Sequence, residues 1–201
     1  MSLVRDLRRV AASQTATRPP HQVEHCDLCG SEVSAEHRHL LQIEERQILC
    51  SCESCFALRS GDPELRPTGR RIVALPDFQL TDELWAEFRI PIGLAFLFVS
   101  SIEERVTAFY PSPAGATESE LDLGAWRELV AANPILASLE LDGEALIVNR
   151  LADPPQFLIA PIDRCYALVG LVKLRWEGIN GGSNLREAIA GFLDALRREA
   201  A

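Results

Sequence analysis

The sequence predicts an α+β protein in which a small metal-binding finger precedes a mixed, mainly antiparallel sheet covered by helices. Five of the six cysteines fall within residues 26–55, which indicates a metal site. After residue 70, short strand patterns are joined by turn signals, and two amphipathic helix patterns end the chain. With 201 residues, 47% of them hydrophobic, the chain is long enough for one larger domain and a small module.

Residues 1–24 are predicted to form a short amphipathic segment followed by a linker. Four apolar residues recur there at helical spacing, namely Leu3, Val4, Leu7 and Val10. The pair Arg8-Arg9 is typical of one class of export signal, but the apolar run that such a signal needs does not follow it. No apolar run reaches the roughly 18 residues of a membrane helix. We therefore expect a cytoplasmic protein without a membrane span.

Two Cys-x-x-Cys pairs indicate a four-thiolate metal site made of Cys26, Cys29, Cys52 and Cys55. A tetrahedral ion with metal–sulfur distances of about 2.3 Å takes two thiolates from one tight turn, and two intervening residues let both side chains converge. Gly30, directly after the first pair, is suited to the positive φ of such a turn. Because disulfides are typical of exported domains, we expect these cysteines to bind zinc.

The finger is predicted to span residues 25–62. Between the cysteine pairs, residues 40–43 and 47–49 have strand patterns on either side of a charged turn. A short helix is expected to begin at Phe56, just after the second pair. A cysteine turn, a hairpin and a short helix together predict a treble-clef-like or zinc-ribbon-like finger.

Three further residues could alter the ligand set. Cys50 lies two residues before Cys52, so in an extended segment both side chains face the same way and either could reach the ion. His37 and His39 have the same two-residue relation, and imidazole is an ordinary zinc ligand. Iron, as a single ion in four thiolates or as an iron–sulfur cluster, is the alternative to zinc.

The domain over residues 70–201 is predicted from its alternation of strand and helix patterns. A second hairpin is expected because Asp142-Gly143 suits the turn that matches the twist of paired strands. The predicted elements are, in order, a strand at 72–75, a helix capped by Thr81 and ending at Phe88, a hairpin of 94–99 with 105–110, a helix at 122–132, a hairpin of 136–141 with 145–151, and a strand at 157–160.

Two helices are predicted to complete the chain. Cys165 lies within the apolar face of the helix that begins at Ile162, which favours a place in the core over a nucleophilic role. Asn184 and Glu187 have the spacing of a capping box and predict the start of the last helix.

Charge and motifs exclude several classes of function. Residues 1–71 are neutral overall, and the net charge of −9 lies in residues 72–201. Because binding to phosphates requires basic patches, we expect no nucleic-acid partner. The sequence contains no nucleophile elbow, phosphate loop or His-Glu-x-x-His motif, and all four histidines lie in or beside the finger. We therefore predict no catalytic residue; the sequence favours a non-enzymatic role and leaves enzymatic activity open.

Several motifs taken together resemble a bacterial family of unknown function that is associated with gene clusters of actinobacterial-type uptake nickel-iron hydrogenases. The motifs are Cys-Asp-Leu-Cys-Gly at 26–30, His-Arg-His-Leu-Leu at 37–41, Leu-Cys-Ser-Cys-Glu-Ser-Cys at 49–55, Ile-Asp-Arg-Cys-Tyr-Ala-Leu-Val-Gly-Leu-Val at 162–172 and Trp-Glu-Gly at 176–178. The resemblance implies an accessory role in hydrogenase assembly, maturation or electron-transfer support, and it extends to the cysteines and His39.

Two functions are consistent with these observations. The first is a zinc-stabilised, non-enzymatic accessory protein that contacts a hydrogenase subunit or a maturation factor. The second is a redox or metal-delivery protein that holds iron, an iron–sulfur cluster or nickel at the cysteines.

Overall fold

The computed structural model of the protein describes residues 23–119, 121–177 and 182–200. The predicted amphipathic segment and most of its linker lie outside these residues. The described part combines helices with antiparallel strands, which confirms the predicted α+β class. Among the described helices, none has both the length and the apolar surface that crossing a membrane requires.

The cysteine-rich region, residues 24–67, is called the finger below and contains two small sheets and one helix. Its elements are the antiparallel pair β1 (Glu24–His25) and β2 (Glu32–Val33), the strands β3 (Arg38–Gln42), β4 (Gln47–Ser51) and β5 (Leu65–Pro67), and helix α1 (Glu53–Arg59). The last three strands form one antiparallel sheet in the order β4-β3-β5. The predicted hairpin and helix are therefore present, and β5 extends this sheet beyond residue 62.

The two faces of the three-stranded sheet have different roles. One face carries a small core made of Leu40, Leu49 and Leu65, against which Leu28 and Phe56 pack. On the opposite face, Leu41 joins the main core of the protein and Ile48 packs beside it. One face thus stabilises the finger itself, and the other attaches the finger to the rest of the chain.

A six-stranded antiparallel sheet forms the centre of residues 70–200, which are called the body below. Its strands are β6 (Val73–Ala74), β7 (Leu94–Ser100), β8 (Arg105–Ser112), β9 (Gly115–Ser119), β10 (Glu144–Asn149) and β11 (Gln156–Pro161), in the spatial order β6-β11-β10-β7-β8-β9. The hairpin of β7 with β8 confirms the prediction. Strand β9 is not among the predicted elements. Its sequence has little apolar alternation, and its extended conformation depends on pairing with β8.

Helices cover both faces of this sheet. They are α2 (Asp82–Glu87), α3 (Leu123–Ala132) and a 3-10 helix (Pro134–Ser138) on one face, and α4 (Ile162–Arg175) and α5 (Gly182–Glu199) on the other. Thr81 caps α2 as predicted, since its hydroxyl accepts a hydrogen bond from the amide of Leu84. The last helix begins at Gly182, before the predicted cap, so Asn184 lies within its first turn and does not cap it.

The predicted strand over residues 136–141 is wrong. The 3-10 helix occupies the first part of this segment, and β10 pairs with β11 instead of with a strand before Asp142. Leu136 and Leu139 are both buried, whereas Leu141 is 50% exposed. The core contacts therefore follow a three-residue spacing, which suits a helical turn and not an alternating strand.

The finger passes into the body at Gly69, where the two backbones lie very close. The amide of Gly69 donates to the carbonyl of Gly143 at 3.0 Å. A β-carbon at position 69 would lie 2.7 Å from Cγ of Glu144 and 3.1 Å from that carbonyl oxygen. Glu144 is held in place by Arg71, with Nη2 2.6 Å from Oε2 and Nε 3.1 Å from Oε1. Only glycine fits this approach without displacing its neighbours.

Gly69→Ala is therefore expected to destabilise the protein by about 1–3 kcal/mol, because the added methyl group must displace a held carboxylate or the backbone. Urea denaturation measures the change. Gly61→Ala is the matched control, since a β-carbon at position 61 has no neighbour within 4 Å. Equal stability of the Gly69→Ala and Gly61→Ala proteins would contradict the tight junction.

Candidate metal centre

The structure brings together the four cysteines of the two Cys-x-x-Cys pairs. The Sγ atoms of Cys26, Cys29, Cys52 and Cys55 all lie within 4.8 Å of one another. Those of Cys29 and Cys52 are 3.8 Å apart. A tetrahedral ion with metal–sulfur distances of about 2.3 Å separates its sulfur ligands by about 3.8 Å. The four thiols, called the four-cysteine group below, thus have a spacing that suits one tetrahedral ion.

Two tight turns present these thiols. In the first turn, the amide of Gly30 donates to the carbonyl of Cys26 at 2.8 Å, and Gly30 has the predicted positive φ, at 76°. In the second, Cys52 is the N-cap of α1, and its Sγ accepts a hydrogen bond from the amide of Cys55 at 3.4 Å. The helix begins at Glu53, three residues before the predicted start, because Cys52 caps it. Amides that point at a sulfur stabilise its thiolate.

The pKa values of the four thiols diverge. Burial opposes ionisation of Cys26, but hydrogen bonds from the amide of Cys52 and from two nearby amides lower its pKa. The hydroxyl and amide of Ser31 lower the pKa of Cys29 to about 6. Hydrogen bonds with Cys29 and Cys52 raise the pKa of Cys55 to about 12. Thiols this close cannot all ionise without a compensating charge, so a complete set of thiolates requires a cation.

Cys50 lies outside the four-cysteine group. Its Sγ and one ring nitrogen each of His37 and His39 lie within 4.8 Å of one another. His39 is directly opposite Cys50 in the pairing of β3 with β4, so both side chains share one face of the sheet. His37, two residues earlier, is on that face as well. In the described part of the chain, the seven candidate ligands therefore form two groups, and Cys52, not Cys50, lies with the other three cysteines.

Asp27 connects the two groups. It lies in the turn between Cys26 and Cys29, and its carboxylate accepts a hydrogen bond from the amide of Cys50 at 2.6 Å. Its own amide donates to the carbonyl of Cys50 at 2.9 Å. The turn that presents the first cysteine pair therefore also holds the backbone of Cys50.

Asp163, in the first turn of α4, connects His39 to the body. Its Oδ2 lies 2.8 Å from Nδ1 of His39. The two residues are 124 positions apart, so no local pattern in the sequence indicates that they meet. A groove of about 770 Å³ lies here between the finger and the body, and its lining includes both histidines and Asp163.

Cys165 is a core residue, as its place in the helix pattern predicts. Its side chain is fully buried in the cluster between the sheet and the two last helices. Burial, and to a lesser extent the charge of Asp163, raise the pKa of the Cys165 thiol well above its ordinary value. Both effects suppress the reactive thiolate.

We expect Cys165 to be alkylated by iodoacetamide at least about 100-fold more slowly in the folded protein than in denaturant, because reaction requires the core to open. Mass spectrometry of peptides from protein quenched at increasing times measures both rates. A similar rate in the two conditions would show that the thiol is accessible, contrary to this assignment.

A family model described as "Family of unknown function (DUF5947)" matches residues 25–200 of the chain. No curated protein matches the chain, and no solved structure does. The matched residues include the four-cysteine group, the histidines with Cys50, and the three-stranded and six-stranded sheets.

Proposed function

Since the chain belongs to the DUF5947 family, whose function is unknown, we propose that it is a non-enzymatic, zinc-binding accessory protein. In this proposal it supports the assembly or maturation of a nickel-iron hydrogenase through contacts with a hydrogenase subunit or a maturation factor. The four-cysteine group is the observation that carries the zinc assignment. The resemblance of the sequence motifs to a hydrogenase-associated family supports the choice of partner.

The donor set favours a structural ion in the four-cysteine group. Four protein ligands complete a tetrahedral zinc site and leave no position for a substrate. A cysteine turn, a hairpin and a short helix that carries the second pair are the parts of a treble-clef-like finger, which is the fold we propose for residues 24–67. Free thiols persist in a reducing compartment, so the proposal places the protein in the cytoplasm.

Helix α1 is the surface that we propose for partner contact. None of its residues is buried, and Leu58 is 81% exposed. The opposite side of the finger is already occupied by the body, through Leu41 and through ion pairs of Arg46 with Glu103 and Glu118. A finger that is held on one side and exposes a large apolar side chain, Leu58, on its outer helix suits a docking role.

Metal analysis tests the cofactor. Protein purified without added metal is expected to contain one zinc per chain that resists dialysis and to show no visible absorption from the four-cysteine group. Visible sulfur-to-iron charge-transfer bands would overturn the zinc proposal. They would support the alternative, a redox or metal-delivery protein that holds iron or an iron–sulfur cluster at these cysteines.

Affinity purification from hydrogenase-expressing cells tests the partner. The tagged protein is expected to retain a hydrogenase subunit or maturation factor, and Leu58→Ser to reduce the retained amount by about fivefold or more, as expected of an interface anchor. Leu174→Ser is the matched control, because Leu174 is 85% exposed on α4, far along the chain from the finger. Retention of neither class of protein would contradict the proposed function, and equal losses in both variants would exclude α1 as the contact surface.

A further inference from the structure

We infer that the protein has a second metal site, in which His37, His39 and Cys50 bind a divalent transition ion and leave one coordination position open. This site, called the histidine site below, differs from the four-cysteine group in its donors and in having three protein ligands instead of four. The inference is independent of the proposed function, because it rests on the orientation, burial and support of these three side chains.

Both imidazoles are oriented so that Nε2 is the nitrogen that remains for a metal. Nδ1 of His37 lies 2.8 Å from the carbonyl oxygen of Ser34, and a carbonyl only accepts, so Nδ1 carries the proton. Nδ1 of His39 lies 2.8 Å from the carboxylate of Asp163, which likewise accepts. In a neutral imidazole whose Nδ1 is protonated, Nε2 presents a lone pair.

Burial of His37 supports the assignment. Its side chain is only 6% exposed, and Nε2 is buried without a hydrogen-bond partner. Only one other buried side-chain nitrogen or oxygen atom in the described residues, Oδ2 of Asp142, has no partner. A buried nitrogen without a hydrogen-bond partner destabilises the folded protein, so its retention needs a cause. A bound ion satisfies this lone pair.

Each ligand is supported by a neighbouring group that orients it. Asp163 accepts a hydrogen bond from Nδ1 of His39, which fixes the orientation of the ring. Asp27 holds the backbone of Cys50 through two hydrogen bonds. The close contact of the two histidine rings, with centroids 4.6 Å apart, keeps both rings on the same side of the sheet.

The donor set and the groove define the kind of site. Two imidazoles and a thiolate suit ions of the zinc class, and they disfavour magnesium and calcium, which prefer oxygen ligands. Three protein ligands leave one tetrahedral position for water or another ligand. Because both histidines line the groove between finger and body, we place that position toward the groove. On binding, the ion replaces the thiol proton of Cys50, which is released to solvent.

Cobalt titration tests the histidine site. The full-length protein, freed of loosely held metal by a weak chelator, is titrated with Co²⁺ without oxygen, and visible absorption and bound metals are recorded. We expect one equivalent of Co²⁺ to bind with the bands of a tetrahedral ion and a sulfur-to-cobalt charge-transfer band, and Zn²⁺ to displace it. The tightly held metal of the four-cysteine group is expected to stay constant throughout.

Variants locate the bound ion. His37→Ala and His39→Ala are each expected to weaken Co²⁺ binding by at least about tenfold, whereas His25→Ala, an exposed histidine of β1, should bind as the wild type does. Retention of the tightly held metal shows that each variant is folded. The inference is overturned if the wild type binds no such equivalent, or if binding is unchanged in both histidine variants.

Asp163→Asn tests the positioning role of the carboxylate that holds His39. This variant is expected to raise the dissociation constant for Co²⁺ by about 10- to 100-fold while one equivalent still binds at saturation. A purely structural role would lower the melting temperature without this change in affinity. An unchanged dissociation constant would remove Asp163 from the site.

Discussion

Replacing Cys52 with serine is expected to abolish tight metal binding and to unfold the finger. Cys52 supplies a thiol to the four-cysteine group and also caps α1; because a serine hydroxyl can cap the helix as well, the substitution removes the metal ligand and not the cap. Structural zinc stabilises small fingers strongly, and we expect a loss of more than about 4 kcal/mol. Elemental analysis after dialysis, urea denaturation and limited proteolysis within residues 24–67 measure these effects.

Cys50→Ser is the matched control, because it makes the same substitution two residues earlier, at a thiol that lies with the histidines. We expect it to keep the tightly held ion and to change stability by less than about 1 kcal/mol. If the Cys50→Ser protein lost the ion and the Cys52→Ser protein kept it, Cys50 would be the ligand of the tightly held ion and Cys52 would not.

Arg71→Ala is expected to destabilise the protein by about 3–5 kcal/mol, because it leaves a buried carboxylate without its counter-charge. The side chain of Glu144 is 2% exposed and is paired with Arg71 through two hydrogen bonds. The only other hydrogen bond to this carboxylate in the described residues comes from the amide of Glu140, at 3.3 Å. Urea denaturation measures the loss.

Two further variants test whether the uncompensated charge of Glu144 causes the loss of stability in Arg71→Ala. Arg70→Ala, at the exposed neighbouring position, should change stability by no more than about 0.5 kcal/mol. Adding Glu144→Gln to Arg71→Ala removes the uncompensated charge and should restore part of the lost stability. If the double variant is as unstable as Arg71→Ala or less stable, the loss comes from packing and not from charge.

Much of the fold was predictable because the signals are local. Alternation along β7 and β8, the cap at Thr81, and the apolar face that contains Cys165 all depend on residues within a few positions of one another. The strand predicted over residues 136–141 is wrong for a different reason. An Asp-Gly turn predicts a hairpin only if the segments on its two sides are strands that pair with each other. Here β10, which follows the turn, pairs with β11 and β7 instead.

Cysteine spacing alone indicates a four-thiolate site, because two intervening residues let both thiols of a pair converge wherever the turn is placed. Spacing alone does not show whether Cys50, His37 or His39 belongs to that site. In an extended strand, residues two apart face the same way, so Cys50 and Cys52 are equivalent until the strand ends. The structure ends β4 at Ser51 and makes Cys52 the cap of α1, which separates the two thiols.

The chain's local patterns thus establish an α+β protein, a cysteine pair on each of two turns, and a core position for Cys165. Tertiary structure alone decides that Cys50 faces two histidines and that Asp163, 124 residues from His39, supports one of them. The physical reason is that such contacts depend on how the finger packs against α4 and on strand register. Both depend on the burial of residues such as Leu41, which shares a core with helices far from it in the sequence.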